Sequence, residues 1–185
     1  MTDMRKKRVV MFTGFILFKK KKIRLTPGVR MLVLGFLLLF LTPFPSEGDS
    51  LLPQSVGSLT LQKLQSGEEA KQAINRMHGK ELSFKRGYIG IYGGEHGKGT
   101  LWVSEYDSEE GAVEDLKKMV QMIRTGDQKT FGHFREMSIE GLPVYFVLGM
   151  GQAHYFFQKG MKVIWLAVDP SLAKETIRDL IGKIS

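Results

Sequence analysis

The chain has 185 residues, no cysteine, 43% hydrophobic residues and a formal charge of +8. Such numbers fit one ordinary domain plus a leader, and they exclude a disordered tail, a polytopic membrane protein, disulfides, thiolate catalysis and sulfur-ligated metal. The charge is concentrated: residues 1–48 hold ten Lys/Arg against Asp3 and Glu47, which leaves 17 of the 27 bases facing 17 of the 19 acids. A neutral remainder lacks the clustered, uncompensated cations that a phosphate backbone demands, so no nucleic-acid partner is expected.

The leader has two apolar runs. Val9–Phe18 lies between Arg8 and Lys19 and is too short to cross a bilayer; an overlong leader of this kind is a sign that translation begins at an internal methionine such as Met11. Met31–Phe44 follows the basic stretch from Lys19 to Arg30 and runs into Pro45-Ser-Glu-Gly48, the order of a secretory signal, with Ser46 and Gly48 spaced as a cleavage site requires. A cleaved signal and an uncleaved N-terminal anchor both remain open. Either places residues 66–185 outside the cytoplasm, in the periplasm or beyond, with membrane contact only through residues 31–44.

Residues 49–65 read as a linker and 66–185 as a single α+β domain. Ser66-Gly-Glu-Glu69 has capping-box spacing before a helix with Ala70, Ala73, Ile74 and Met77 on one face and Gly79 as its stop. Ser83–Tyr92 alternates, with Tyr88, Gly90 and Tyr92 on one side and Ile89 and Ile91 on the other. It turns at Gly93–Gly99 into a second strand, Thr100–Tyr106. Asp107-Ser-Glu-Glu110 then caps a helix striped by Val113, Leu116, Met119, Val120 and Ile123, ended by Gly126. Four strands follow as a meander, Phe134–Ile139, Val144–Leu148, Ala153–Phe157 and Met161–Val168, turning at Glu140-Gly141, Met150-Gly151 and Lys159-Gly160. Asp169-Pro170 opens a last helix whose inward face is Leu172, Ala173, Ile177, Leu180, Ile181 and Ile184.

The expected architecture is an antiparallel sheet of about six strands with helices packed mainly on one face. Leu101-Trp102-Val103 before Asp107 and Ile164-Trp165-Leu166 before Asp169 echo each other, which fits a duplicated strand-strand-helix unit or simply a recurrent strand–cap–helix phrase.

Function is less legible. The later strands are apolar on both faces, so three helices on one side would leave an aromatic surface drawn from Tyr88, Tyr92, Trp102, Tyr145, Phe156 and Trp165. Three occupants are open: a segment of the chain itself, a second copy in a homodimer, or an envelope protein or apolar small molecule. The Gly-rich turn does not fit a phosphate loop, because Tyr92 stands where the first glycine belongs and a strand follows. Its exposed Glu95, His96 and Lys98 are a contact-site candidate.

Of the four histidines, His78, His96, His133 and His154, none has metal-ligand spacing. In a regular strand His133 and Glu136 would point to opposite faces. His154 lies among aromatic strands, either as a core histidine or in a pocket. The expectation is a non-catalytic binding domain of the bacterial envelope, with no cofactor and no metal. Its binding residues would be Glu95, His96, Lys98, Tyr88, Trp102, Tyr145, His154 and Trp165. The competing reading is a hydrolase or transferase that uses a histidine beside a carboxylate.

Overall fold

The computed structural model describes residues 52–78, 81–126 and 130–184. The leader, Gly79 as a helix stop and any structure in residues 127–129 lie outside the described residues. Eight strands form one sheet: β1 (Ser55–Val56), β2 (Leu59–Ser66), β3 (Arg86–Gly94), β4 (Gly97–Glu105), β5 (Phe131–Ile139), β6 (Leu142–Gly149), β7 (Gln152–Lys159) and β8 (Lys162–Val168). Three helices accompany them: α1 (Gly67–His78), α2 (Glu109–Arg124) and α3 (Ala173–Lys183), the last preceded by a 3-10 turn at Pro170–Leu172. The spatial order is β1-β2-β3-β4-β8-β7-β6-β5 and every pairing is antiparallel.

The α+β class stands, but the sheet has eight strands where six were expected. The additional two come from the stretch read as a linker. In β2, Leu59, Leu61 and Leu64 do not alternate in sequence, because a bulge between Leu61 and Lys63 inserts Gln62. The extra residue returns Leu64 to the face of Leu61, opposite Gly90, so a period-two reading breaks at the point where the strand bends.

The meander from β5 to β8 follows from its turns. Glu140-Gly141 and Met150-Gly151 both hold positive φ at two consecutive residues (53° and 81°, 51° and 76°), the backbone of a two-residue hairpin whose twist matches the strands. The third turn is Gly160-Met161, one residue later than expected, since Lys159 and Lys162 pair across it.

Helix starts also differ in detail. Ser108, not Asp107, caps α2: its hydroxyl accepts the Gly111 N–H at 3.1 Å, while Asp107 reaches Lys85 at 3.3 Å. Asp169 precedes the 3-10 turn without capping it. Its carboxylate instead accepts the Lys98 N–H at 2.9 Å, tying the β3–β4 hairpin to the start of α3.

The largest departure concerns the helices, which cover both faces of the sheet. On one face α3 contributes Ala173, Ile177, Leu180, Ile181 and Ile184 to a core shared with Tyr92, Leu101, Val103, Tyr155, Phe157, Ile164, Leu166 and Val168, closed at one side by Leu52, Val56 and Leu59. On the other face α1 and α2 supply Ala70, Ile74, Ala112, Leu116 and Val120 over Ile89, Val147, Phe156 and Val163. Strands apolar on both faces are thus the sequence of a sheet sandwiched between helices. The residues expected to share one open face are therefore split: Tyr88 and Tyr92 lie on the face roofed by α3, and Trp102, Tyr145, Phe156 and Trp165 lie on the face that α1 and α2 partly cover.

The echo between the two halves holds for strands and fails for helices. Trp102 and Trp165 are direct partners, with Leu101 opposite Leu166 and Val103 opposite Ile164, so the register is symmetric about the tryptophan pair. Yet α2 packs on the tryptophan face and α3 on the opposite one.

Candidate functional site

The tryptophan face carries a continuous row of side chains across the sheet. Ile89, Trp102, Trp165, Phe156 and Tyr145 are successive cross-strand partners on β3, β4, β8, β7 and β6. Their rings stack: Trp165 on Phe156 at 4.8 Å between centroids and 11° between planes, Phe156 on Tyr145 at 5.4 Å and 23°, and Tyr145 on Phe134 of β5 at 6.1 Å and 23°. Phe156 is fully buried, whereas Trp102, Trp165, Tyr145 and Phe134 each keep part of their surface exposed. Such aromatic pairs contribute about 0.5–1.5 kcal/mol each beyond area burial, so the row is rigid as well as apolar.

Phe131 and Phe134 were not singled out in the sequence. Three apart, they would face opposite sides of a regular strand. A bulge between Gly132 and Arg135, with His133 at φ 58°, places both on the tryptophan face. Phe131 crosses over to β7 and β8, its ring 5.1 Å from His154 and 5.6 Å from Trp165. Gly149 makes that crossing possible: a Cβ there would stand 2.5 Å from the Phe131 ring and 2.7 Å from the Thr130 carbonyl. Glu136, expected to face away from His133, pairs with Arg124 at the end of α2, whose guanidinium lies 5.3 Å from the Phe134 ring centre. The bulge alone could have been suspected, from Gly132 inside an otherwise alternating run.

His154 lies beneath this layer at 1% exposure. The Trp165 indole N–H, which can only donate, gives its hydrogen to Nδ1 at 3.0 Å. Nδ1 is therefore unprotonated and Nε2 carries the hydrogen, which it donates to the Gly149 carbonyl at 3.0 Å. Burial holds the imidazole below its ordinary pKa, against the opposing pull of the Gly149 carbonyl. With both nitrogens engaged and the ring covered by Phe131, His154 is a core histidine rather than an open general base.

The remaining candidates sit elsewhere. Glu95 and His96 form the exposed tip of the β3–β4 hairpin and Lys98 follows on β4. Tyr88 is half-buried against the α3-side core. The structure thus gathers Trp102, Tyr145, His154 and Trp165 on one face and leaves Tyr88 and the hairpin tip apart from them. Among the described residues, no group of three or more His, Asp or Glu is arranged to hold a metal ion. Concave sites there include a crevice of about 20 Å³ between the end of α1 and α2, by Tyr106, Asp115 and Met119, and an open depression of about 420 Å³ along Glu109, Val113 and Lys117 of α2.

No known family model matches the chain, and neither the curated proteins nor the solved structures contain a match to it. The class defined by its own residues is an α+β domain with an eight-stranded antiparallel sheet between helices, and a stacked aromatic row on one face.

Proposed function

We propose that this is a non-catalytic binding domain of the bacterial cell envelope, which engages a partner protein through the partly exposed rings of the aromatic row on the tryptophan face. The observation that carries the reading is the rigid stack Trp165–Phe156–Tyr145–Phe134, flanked by the partly buried Trp102 and the exposed Ile91 (37%). Pre-stacked aromatics present apolar area at little entropic cost, which is why such residues dominate protein interfaces. A protein partner fits better than an enclosed apolar ligand, because enclosure would require a deep pocket over the row. The envelope location rests on the basic-then-apolar order of residues 19–44; fractionation should recover the domain outside the cytoplasm, and a cytosolic product with residues 31–44 intact would refute it.

The test of binding compares Trp102→Lys with Leu148→Lys, the latter an exposed residue (37%) whose strand neighbours place it on the α3 side. Light scattering and native mass spectrometry on the full chain in envelope extract should show a complex that Trp102→Lys abolishes and Leu148→Lys preserves. An unaccompanied monomer, or equal loss in both variants, would end the proposal.

A further inference from the structure

The bond between His154 and Trp165 joins a buried titratable group to a partly exposed ring of the aromatic row. The indole N–H has no acceptor capacity, and it is satisfied only while Nδ1 of His154 keeps its lone pair. An imidazolium has hydrogen on both nitrogens, so a proton on Nδ1 would set two donors head to head at 3.0 Å. We propose that His154 is a proton-sensitive latch: taking up a proton at Nδ1 breaks its bond with the Trp165 indole and releases that indole from its seat between Phe156 and Phe131.

Among the described residues, no acidic side chain is bonded to the imidazole, whose partners are the Trp165 indole and the Gly149 carbonyl. β6 presents Val147 and the Gly149 carbonyl, β8 presents Ala167 and Trp165, and the β5 group in contact is Phe131. The charged or titratable groups of the same face on these elements are Glu136, already paired with Arg124 of α2, and Tyr145 on β6; α2, which packs on β7 and β8, adds Glu109 bonded to Gln158, Glu114 to Lys118 and Asp115 to Tyr106. The cheapest response is movement of Trp165, because its outer surface already meets solvent while His154 is enclosed. Burial sets the direction of the threshold, below the ordinary histidine value. The latch is independent of what, if anything, the row binds.

The chain has two tryptophans, so Trp102→Phe in the full-length protein makes Trp165 the sole indole reporter. The expected result on acidification is a reversible red shift of its emission, with a one-proton midpoint below about 6.5 and unchanged far-ultraviolet circular dichroism. His154→Gln, whose amide can both accept from the indole and donate to Gly149 without titrating, should lose the step. Imidazole ¹⁵N shifts of the unsubstituted protein provide a second readout free of any folding defect in the variant, and should report Nε2–H with bare Nδ1 above the midpoint and both nitrogens protonated below it. The proposal is overturned if the emission step persists in His154→Gln, if secondary structure is lost together with it, or if the ¹⁵N shifts show His154 neutral through the range or protonated without any change at Trp165.

Discussion

The Asp179 carboxylate accepts the backbone N–H of Gly57 at 2.6 Å, joining two residues 122 positions apart. The same oxygen meets the Lys183 ammonium at 2.7 Å, and Lys183 also donates to the Ser55 carbonyl at 3.1 Å. Gly57 sits at φ +56° with room for no more than a close contact: a Cβ would lie 3.3 Å from the Thr176 Cα. The β1–β2 turn is thereby fixed to α3, and this contact makes the N-terminal edge of the sheet part of the α3-side core.

Partial burial works against the Asp179 charge, but the Lys183 ammonium and the Gly57 N–H outweigh it and hold the carboxyl below its usual range. A carboxyl depressed in the folded state adds stability above its unfolded pKa, and that contribution disappears as pH falls through the folded value. Asp179→Asn should therefore cost about 1 kcal/mol at neutral pH, the lower part of the range for a charge-assisted bond because the group is a third exposed. The difference from the unsubstituted protein should shrink as pH falls from the unfolded carboxyl range through the lower folded value. Urea denaturation at pH 7 and pH 3 checks both statements; an equal gap at the two pH values contradicts the linkage.

Gly149→Ala should destabilise by about 1–3 kcal/mol, the range for overpacking, because the added methyl meets the Phe131 ring and the Thr130 carbonyl. The same substitution should move Phe131 off His154, so the His154 ring resonances should lose the ring-current shift that a neighbour at 5.1 Å produces. Chemical denaturation and proton NMR test it, and a variant that matches the parent in both would show that the crossing is loosely held.

The cap of α2 can be assigned by two substitutions. Ser108→Ala should cost about 1 kcal/mol through loss of the hydroxyl bond to Gly111. Asp107→Ala, which breaks an exposed ion pair with Lys85, should change stability by less than about 0.5 kcal/mol. The reverse order would return the cap to Asp107.

Leu180→Ala removes a fully buried side chain from the centre of the α3-side core and should cost about 2–5 kcal/mol. Met77→Ala, at 54% exposure on α1, should stay within about 0.5 kcal/mol of the parent. Thermal melts of the pair measure whether α3 is an integral roof of the sheet. A small effect of Leu180→Ala would mean that face can open, restoring the case for an uncovered apolar surface.

Local patterns determined most of the elements. The spacing of Val144, Phe146 and Leu148, the positive-φ turns at Glu140-Gly141 and Met150-Gly151, and the stripe Ile177, Leu180, Ile181 and Ile184 are encoded by residues close in sequence, so strands, hairpins and helix can be read directly. Tertiary structure alone decided three things. Bulges at Gln62 and His133 displaced the alternation that would have revealed β2 and the Phe131–Phe134 pair, because an extra residue is favourable only where a neighbouring strand bends. The side chosen by each helix, α2 and α3 opposite despite their similar lead-in strands, depends on which apolar face remains uncovered and not on either helix's own sequence. The state of His154 was undecided between core and pocket until the Trp165 indole, eleven residues away, fixed which nitrogen carries the proton.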